Sequence, residues 1–142
     1  MIFQKLYSGE SAHMIISTLL FRSQKINRVL KKLYHNPTQQ TFYMGQLDKN
    51  SIASFWKKVS VDSFDFIIDD GLHTFEAGSC FFEHSYNYLC DNGIYVIEDV
   101  CINDFLKYKN FFLSFRCYVD YICLKRPNQK LGDNNLILIR KF

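Results

Sequence analysis

Two apolar runs that each stop at a pair of acids constrain this chain more than anything else in it: FDFIIDD at residues 64–70 and GIYVIED at 93–99. A continuous β-branched and aromatic run of this length reads as a strand covered on both faces, hence as part of a parallel sheet with helices packed against it. The stretch between the runs has a helical pattern. Strand, helix and strand then form a right-handed crossover that makes the two runs parallel neighbours in one sheet. Asp69 and Asp70 close the first run, and Glu98 and Asp99 the second. Such sheets bind their ligands at the carboxyl ends of their strands, which is where these acids fall.

The other elements follow from periodicity and breakers. Residues 11–35 carry apolar side chains at Ile15, Leu19, Ile26, Val29, Leu30 and Leu33 with basic residues between them, the pattern of a helix that Asn36 and Pro37 end. A short strand is expected at 41–44, a helix over about 50–59, the strand at 64–68 and a helix over about 74–89. Asp91, Asn92 and Gly93 supply the stop of that helix, with Gly93 free to take positive φ. After the second run come a helix over about 103–113 and two strands joined by a Pro/Asn/Gly-rich loop, an antiparallel hairpin at the sheet edge.

Composition narrows the class. With 142 residues, 48% hydrophobic and 17% aromatic, the chain is expected to be one folded domain, an atypical segment 1–40 followed by a core over 41–142. Nine Lys/Arg stand against two acids in residues 1–60, and eight against twelve in 61–142. The acidic half suits a cation site. The basic run Arg22, Lys25, Arg28, Lys31 and Lys32 reads as a solvated helix face rather than a nucleic-acid surface. The five cysteines form no CxxC pair, as expected of reduced thiols in a cytoplasmic protein. The apolar stretch 14–21 is too short to span a bilayer.

From about residue 42 onward the sequence resembles the later two-thirds of a class I S-adenosylmethionine-dependent methyltransferase. Within that class it is most similar to the macrolide-sugar O-methyltransferases of the mycinamicin and tylosin type. Their IDDGSH and VIED segments stand here as Ile68-Asp69-Asp70-Gly71-Leu72-His73 and Val96-Ile97-Glu98-Asp99, and their terminal hairpin matches the ending at 134–141. The resemblance implies a mostly parallel, partial Rossmann-like sheet with a C-terminal antiparallel hairpin, preceded here by a helical N-terminal segment. It implies Asp70, Glu98 and Asp99 as ligands of a divalent metal, Mg²⁺ by preference, and His73 as general base. Gln46 and Asp48, in a turn similar to the family's GDQSD turn, and Asp69 would bind the cofactor S-adenosylmethionine. The implied activity is a metal-assisted O-methyl transfer to a hydroxylated small molecule such as a sugar.

The chemistry is coherent by itself. Adjacent strands lie about 4.8 Å apart, so carboxylates at neighbouring strand ends can reach one hard cation. Each acid also has a plainer reading: Asp70 as the N-cap of the next helix, and Glu98 and Asp99 as solvated loop residues.

Against the family pattern, residues 1–41 hold one glycine, Gly9, and no GxG; their acid, Glu10, follows no strand-like run. The central strands that carry the glycine-rich cofactor loop and the ribose-binding acid have no counterpart here. Residues 1–40 are therefore expected to be helical without rebuilding a cofactor-binding βαβ unit. An exposed sheet edge would favour self-association or a partner chain. The alternative function is a truncated, non-catalytic relative or accessory subunit that binds a partner.

Overall fold

The computed structural model describes residues 14–15, 43–59, 62–124 and 133–142. Its centre is a four-stranded mixed sheet built from β3 (Phe64–Asp69), β4 (Leu89–Val100), β5 (Cys117–Cys123) and β6 (Asn135–Lys141), in the order β3-β4-β6-β5. As expected, the two acid-terminated runs pair in parallel, with Ile67 opposite Tyr95 and Asp69 opposite Ile97. β6 is antiparallel to both β4 and β5, which is the terminal hairpin. The fold class is thus mixed α/β; among the described strands of this sheet one pairing is parallel and two are antiparallel, so it is less parallel than the sequence suggests.

Three helices, α1 (Lys49–Lys58), α2 (Phe75–Ser85) and α3 (Phe105–Phe112), pack through one face of this sheet. Ile67, Tyr95, Ile97, Ile137 and Ile139 point into it from the strands and are buried. Aromatic rings lock the layers together. Trp56 of α1 stacks on Tyr88 at 4.3 Å and donates its indole N–H to the buried Ser85 hydroxyl at 3.0 Å. Phe82 of α2 meets Tyr95, Phe112 and Phe115 edge-on at 4.9–5.0 Å. Pairs of this kind add about 0.5–1.5 kcal/mol each beyond area burial.

Three expectations need correction. Met14 and Ile15, expected inside a helix, are extended: they form β1 (Met14–Ile15), antiparallel to β2 (Tyr43–Met44). Apolar residues at the start of a helical pattern can serve a ladder equally well when a strand edge is at hand. The remainder of the expected helix over 11–35 lies outside the described residues, as does the loop at 125–132. α2 stops at Ser85 rather than near Leu89, passes through a 3₁₀ turn (Tyr86–Tyr88), and β4 has begun by Leu89, before the Asp-Asn-Gly breaker. Positive φ falls on Asn92 (63°) and not on Gly93. Gly93 is required for a different reason: a Cβ there would stand 2.7 Å from the Cys90 carbonyl oxygen.

Candidate metal centre

β3 delivers Asp69 to the sheet edge as its last residue, and Asp70 begins the loop beyond it. His73 carries φ 55°. Thr74 then caps α2, its hydroxyl accepting from Ala77 N at 3.3 Å. Asp70 is therefore not the helix cap, and that plainer reading of it is removed.

On the neighbouring strand the β4–β6 register slips between Ile97 and Val100, which pair with Ile137 and Asn135. One extra residue is accommodated, with Asp99 at φ 50°. The buried Asn135 amide closes this bulge by donating to the Val100 carbonyl at 2.8 Å. A bulge re-aims side chains that strict alternation would send to opposite faces of the sheet. Glu98 and Asp99 are consequently part of β4, not of a solvated loop.

The outcome is a cluster in which Asp70, His73 and Asp99 each offer a ligand atom within 4.8 Å of the others. His73 Nε2 lies 3.2 Å from Asp70 Oδ1. That contact, with the fields of Asp99 and Asp133, raises the His73 pKa above its usual 6.5 against the opposing effect of burial. Glu98, the third expected ligand, is not among the residues whose ligand atoms meet; it is half-buried and feels the charges of Asp70, Asp99 and His73. Burial raises its pKa first, the charges of Asp70 and Asp99 raise it further, and His73 opposes them. A half-buried Glu98 with a raised pKa, repelled by neighbouring carboxylates, is what a cation would relieve. The carboxylate-rich donor set fits a hard divalent ion such as Mg²⁺.

Asp69 lies beneath this loop, 1% exposed, with its pKa pushed up to about 7, chiefly by burial. Gln46 Nε2 donates to Asp69 Oδ1 at 2.7 Å, and Leu72 N donates to Gln46 Oε1 at 2.9 Å. Tyr95 Oη approaches the Asp69 carboxyl without closing a hydrogen bond of ordinary geometry, and Asp69 Oδ2 closes none. A small pocket between Asp69, Gly78, Tyr108 and Glu98 has about 10 Å³ at its centre, room for one water.

The residues expected to contact the cofactor thus hold internal bonds. The Gln46 amide is bonded at both ends, and Asp48 caps α1 by accepting from Asn50 N at 2.9 Å. These residues do not by themselves fit S-adenosylmethionine. Tyr108, Asp133 and the brace formed by Gln46 escape sequence reasoning, because no motif spacing links them to the acidic pairs.

No family model matches the chain, and no curated protein matches it. Among solved structures it is similar to the MycE methyltransferase from the mycinamycin biosynthetic pathway, in complex with Mg and SAH. The identity is 19% and the TM-score 0.47, over 72% of this chain and 32% of that one. The chain therefore spans about a third of the length of that relative. A likeness at this level carries no functional argument.

Proposed function

We propose that the chain holds a divalent cation at Asp70, Glu98 and Asp99, and that this centre serves O-methylation of a hydroxylated small molecule such as a sugar. The observation that carries the proposal is the convergence of Asp70, His73 and Asp99 at the carboxyl ends of two adjacent parallel strands. When bound, the cation would polarise a substrate hydroxyl and lower its pKa. His73 would take the released proton. In the tautomer whose Nε2 carries hydrogen, it donates to Asp70 and leaves Nδ1 as the acceptor. Asp70 then orients the ring and raises its basicity, as carboxylates do beside a catalytic imidazole.

S-adenosylmethionine as methyl donor enters from the motif resemblance alone. The internal engagement of Gln46 and Asp48 favours a second reading, a cation-binding, non-catalytic relative that engages a partner.

Calorimetric titration of the full chain with S-adenosylmethionine in millimolar Mg²⁺ separates the two. Micromolar binding, with methyl transfer to hydroxylated sugars that His73→Ala abolishes, supports the enzyme. Cation binding without cofactor binding supports the non-catalytic relative. A chain that binds neither ligand refutes both.

A further inference from the structure

Gln46 belongs to neither acidic motif. It sits in the turn between β2 and α1, 23 residues before Asp69 in sequence, yet it is 1% exposed and holds the acidic loop. We infer that Gln46 is a positioning residue of the metal centre, fixing the loop on both sides of Asp70 and setting the peptide plane that leads into His73. The inference rests on the cation reading above.

The geometry supplies the argument. One end of the Gln46 amide donates to Asp69 Oδ1 at 2.7 Å, and the other accepts from Leu72 N at 2.9 Å. The two anchors bracket Asp70. The second also restrains the residue immediately before His73, whose φ of 55° lies in the left-handed region that few non-glycine residues occupy.

The brace is itself anchored. Gly45 N donates to Ser51 Oγ at 2.9 Å, Asp48 N donates to the Gly45 carbonyl at 3.1 Å, and Asp48 caps α1. The turn holding Gln46 is thus fastened to a helix whose Ile52, Phe55 and Trp56 are buried in the core. A side chain needed only to fill space would require neither bond. A primary amide is the group that can donate to a carboxylate at one end while accepting from a backbone N–H at the other.

The test exchanges the polarity of the brace. Gln46→Glu keeps an acceptor for Leu72 N but sets a second carboxylate against Asp69. Gln46→Glu combined with Asp69→Asn restores both bonds, because the amide introduced at position 69 can donate to the new carboxylate while the charge at the pair is conserved. On the full chain, with Mg²⁺ as probe, Gln46→Glu should weaken cation affinity at least tenfold, and the double variant should return it to within about threefold of wild type. Ser85→Ala, which removes the buried bond to Trp56, should lower Tm and leave the affinity unchanged.

Amide hydrogen exchange reads the brace without any metal. In Gln46→Leu, exchange at Leu72 should speed up at least tenfold relative to Ile67 in the β3–β4 ladder. If Leu72 exchange does not change, or the double variant binds Mg²⁺ as weakly as the single one, the inference is wrong. Should the wild type bind no Mg²⁺, the cation reading fails, and the Leu72 exchange alone decides whether Gln46 braces the loop. If Gln46→Leu does not fold, the charge-swap pair still decides.

Discussion

His73 and Asp99 hold left-handed backbone conformations, φ 55° and 50°, on opposite sides of one acidic cluster. Strain of that kind costs roughly 1–3 kcal/mol per residue and persists where the surroundings over-determine it. The titrating groups there agree in sign. Asp69 has a folded pKa of about 7 against 3.8, so its proton favours the folded state, and the associated stability is lost as pH rises from about 3.8 to about 7. Glu98, raised above 4.5, acts in the same direction. The contribution of His73, raised above 6.5, is complete below that pH and is lost as pH climbs through its folded value. Thermal unfolding of Asp69→Asn beside wild type should therefore show the variant gaining relative stability between pH 4.5 and 7, with no further gain above. A divalent cation should stabilise most at neutral pH, when the cluster is most negative. At a hundredfold excess over Kd it adds about 2.7 kcal/mol. Asp70→Asn should remove most of the resulting rise in Tm, whereas His73→Ala should leave most of it if the carboxylates hold the ion and the ring serves as base; loss of the rise in both variants would make His73 a ligand.

Two elements set the site by how closely they approach each other. Gly78 of α2 faces Tyr108 of α3 so tightly that a Cβ would run into Tyr108 Oη, with Asp69 Oδ2 just beyond at 3.7 Å. Tyr108 is buried between Phe75 and Phe112 and cannot swing aside. Gly78→Ala should thus destabilise by about 1–3 kcal/mol through overpacking, in spite of alanine's better helix propensity. Chemical denaturation of Gly78→Ala with and without Tyr108→Phe checks the cause, since deleting the hydroxyl should recover much of the loss. On β4, Asn135→Ala would remove the side-chain donor to the Val100 carbonyl, an expected cost of about 0.5–1.5 kcal/mol in the same assay. It should also weaken Mg²⁺ binding, because the bulge that aims Asp99 loses its closing bond.

Across the molecule the helices are placed unevenly. Among the described residues α1, α2 and α3 share one face of the sheet, while Tyr118 and Ile122 of the edge strand β5 stand exposed together with Phe142. Tyr118 and Phe142 lie ring to ring at 4.6 Å on that surface. An apolar edge of this kind favours self-association or a partner chain. Light scattering at high protein concentration should show association that Ile122→Lys reduces without a large change in Tm. A strictly monomeric wild type would count against it. No helix among the described residues is long and apolar enough to cross a membrane.

The parallel pairing of the two acid-terminated runs, the acids at their ends and the closing hairpin are all legible in the sequence. Those features are written in local patterns: unbroken apolar runs, a helical period between them, and turn residues at the hairpin. Such patterns locate the acids but not their mutual geometry. Strict strand alternation cannot foresee the bulge at Glu98 and Asp99, which depends on Asn135 reaching across from β6 to Val100. The end of α2 is not legible in the sequence, because the Asp-Asn-Gly breaker lies within β4, where Asn92 takes positive φ beside a register shift of the β3–β4 pairing. That Thr74 caps α2, that Gln46 turns inward to bind Asp69 and Leu72, and that Asp70, His73 and Asp99 converge emerges in the folded chain alone. Each of these is a choice of partner for a polar group. Sequence shows which groups need partners, but folding alone brings distant ones within bonding distance.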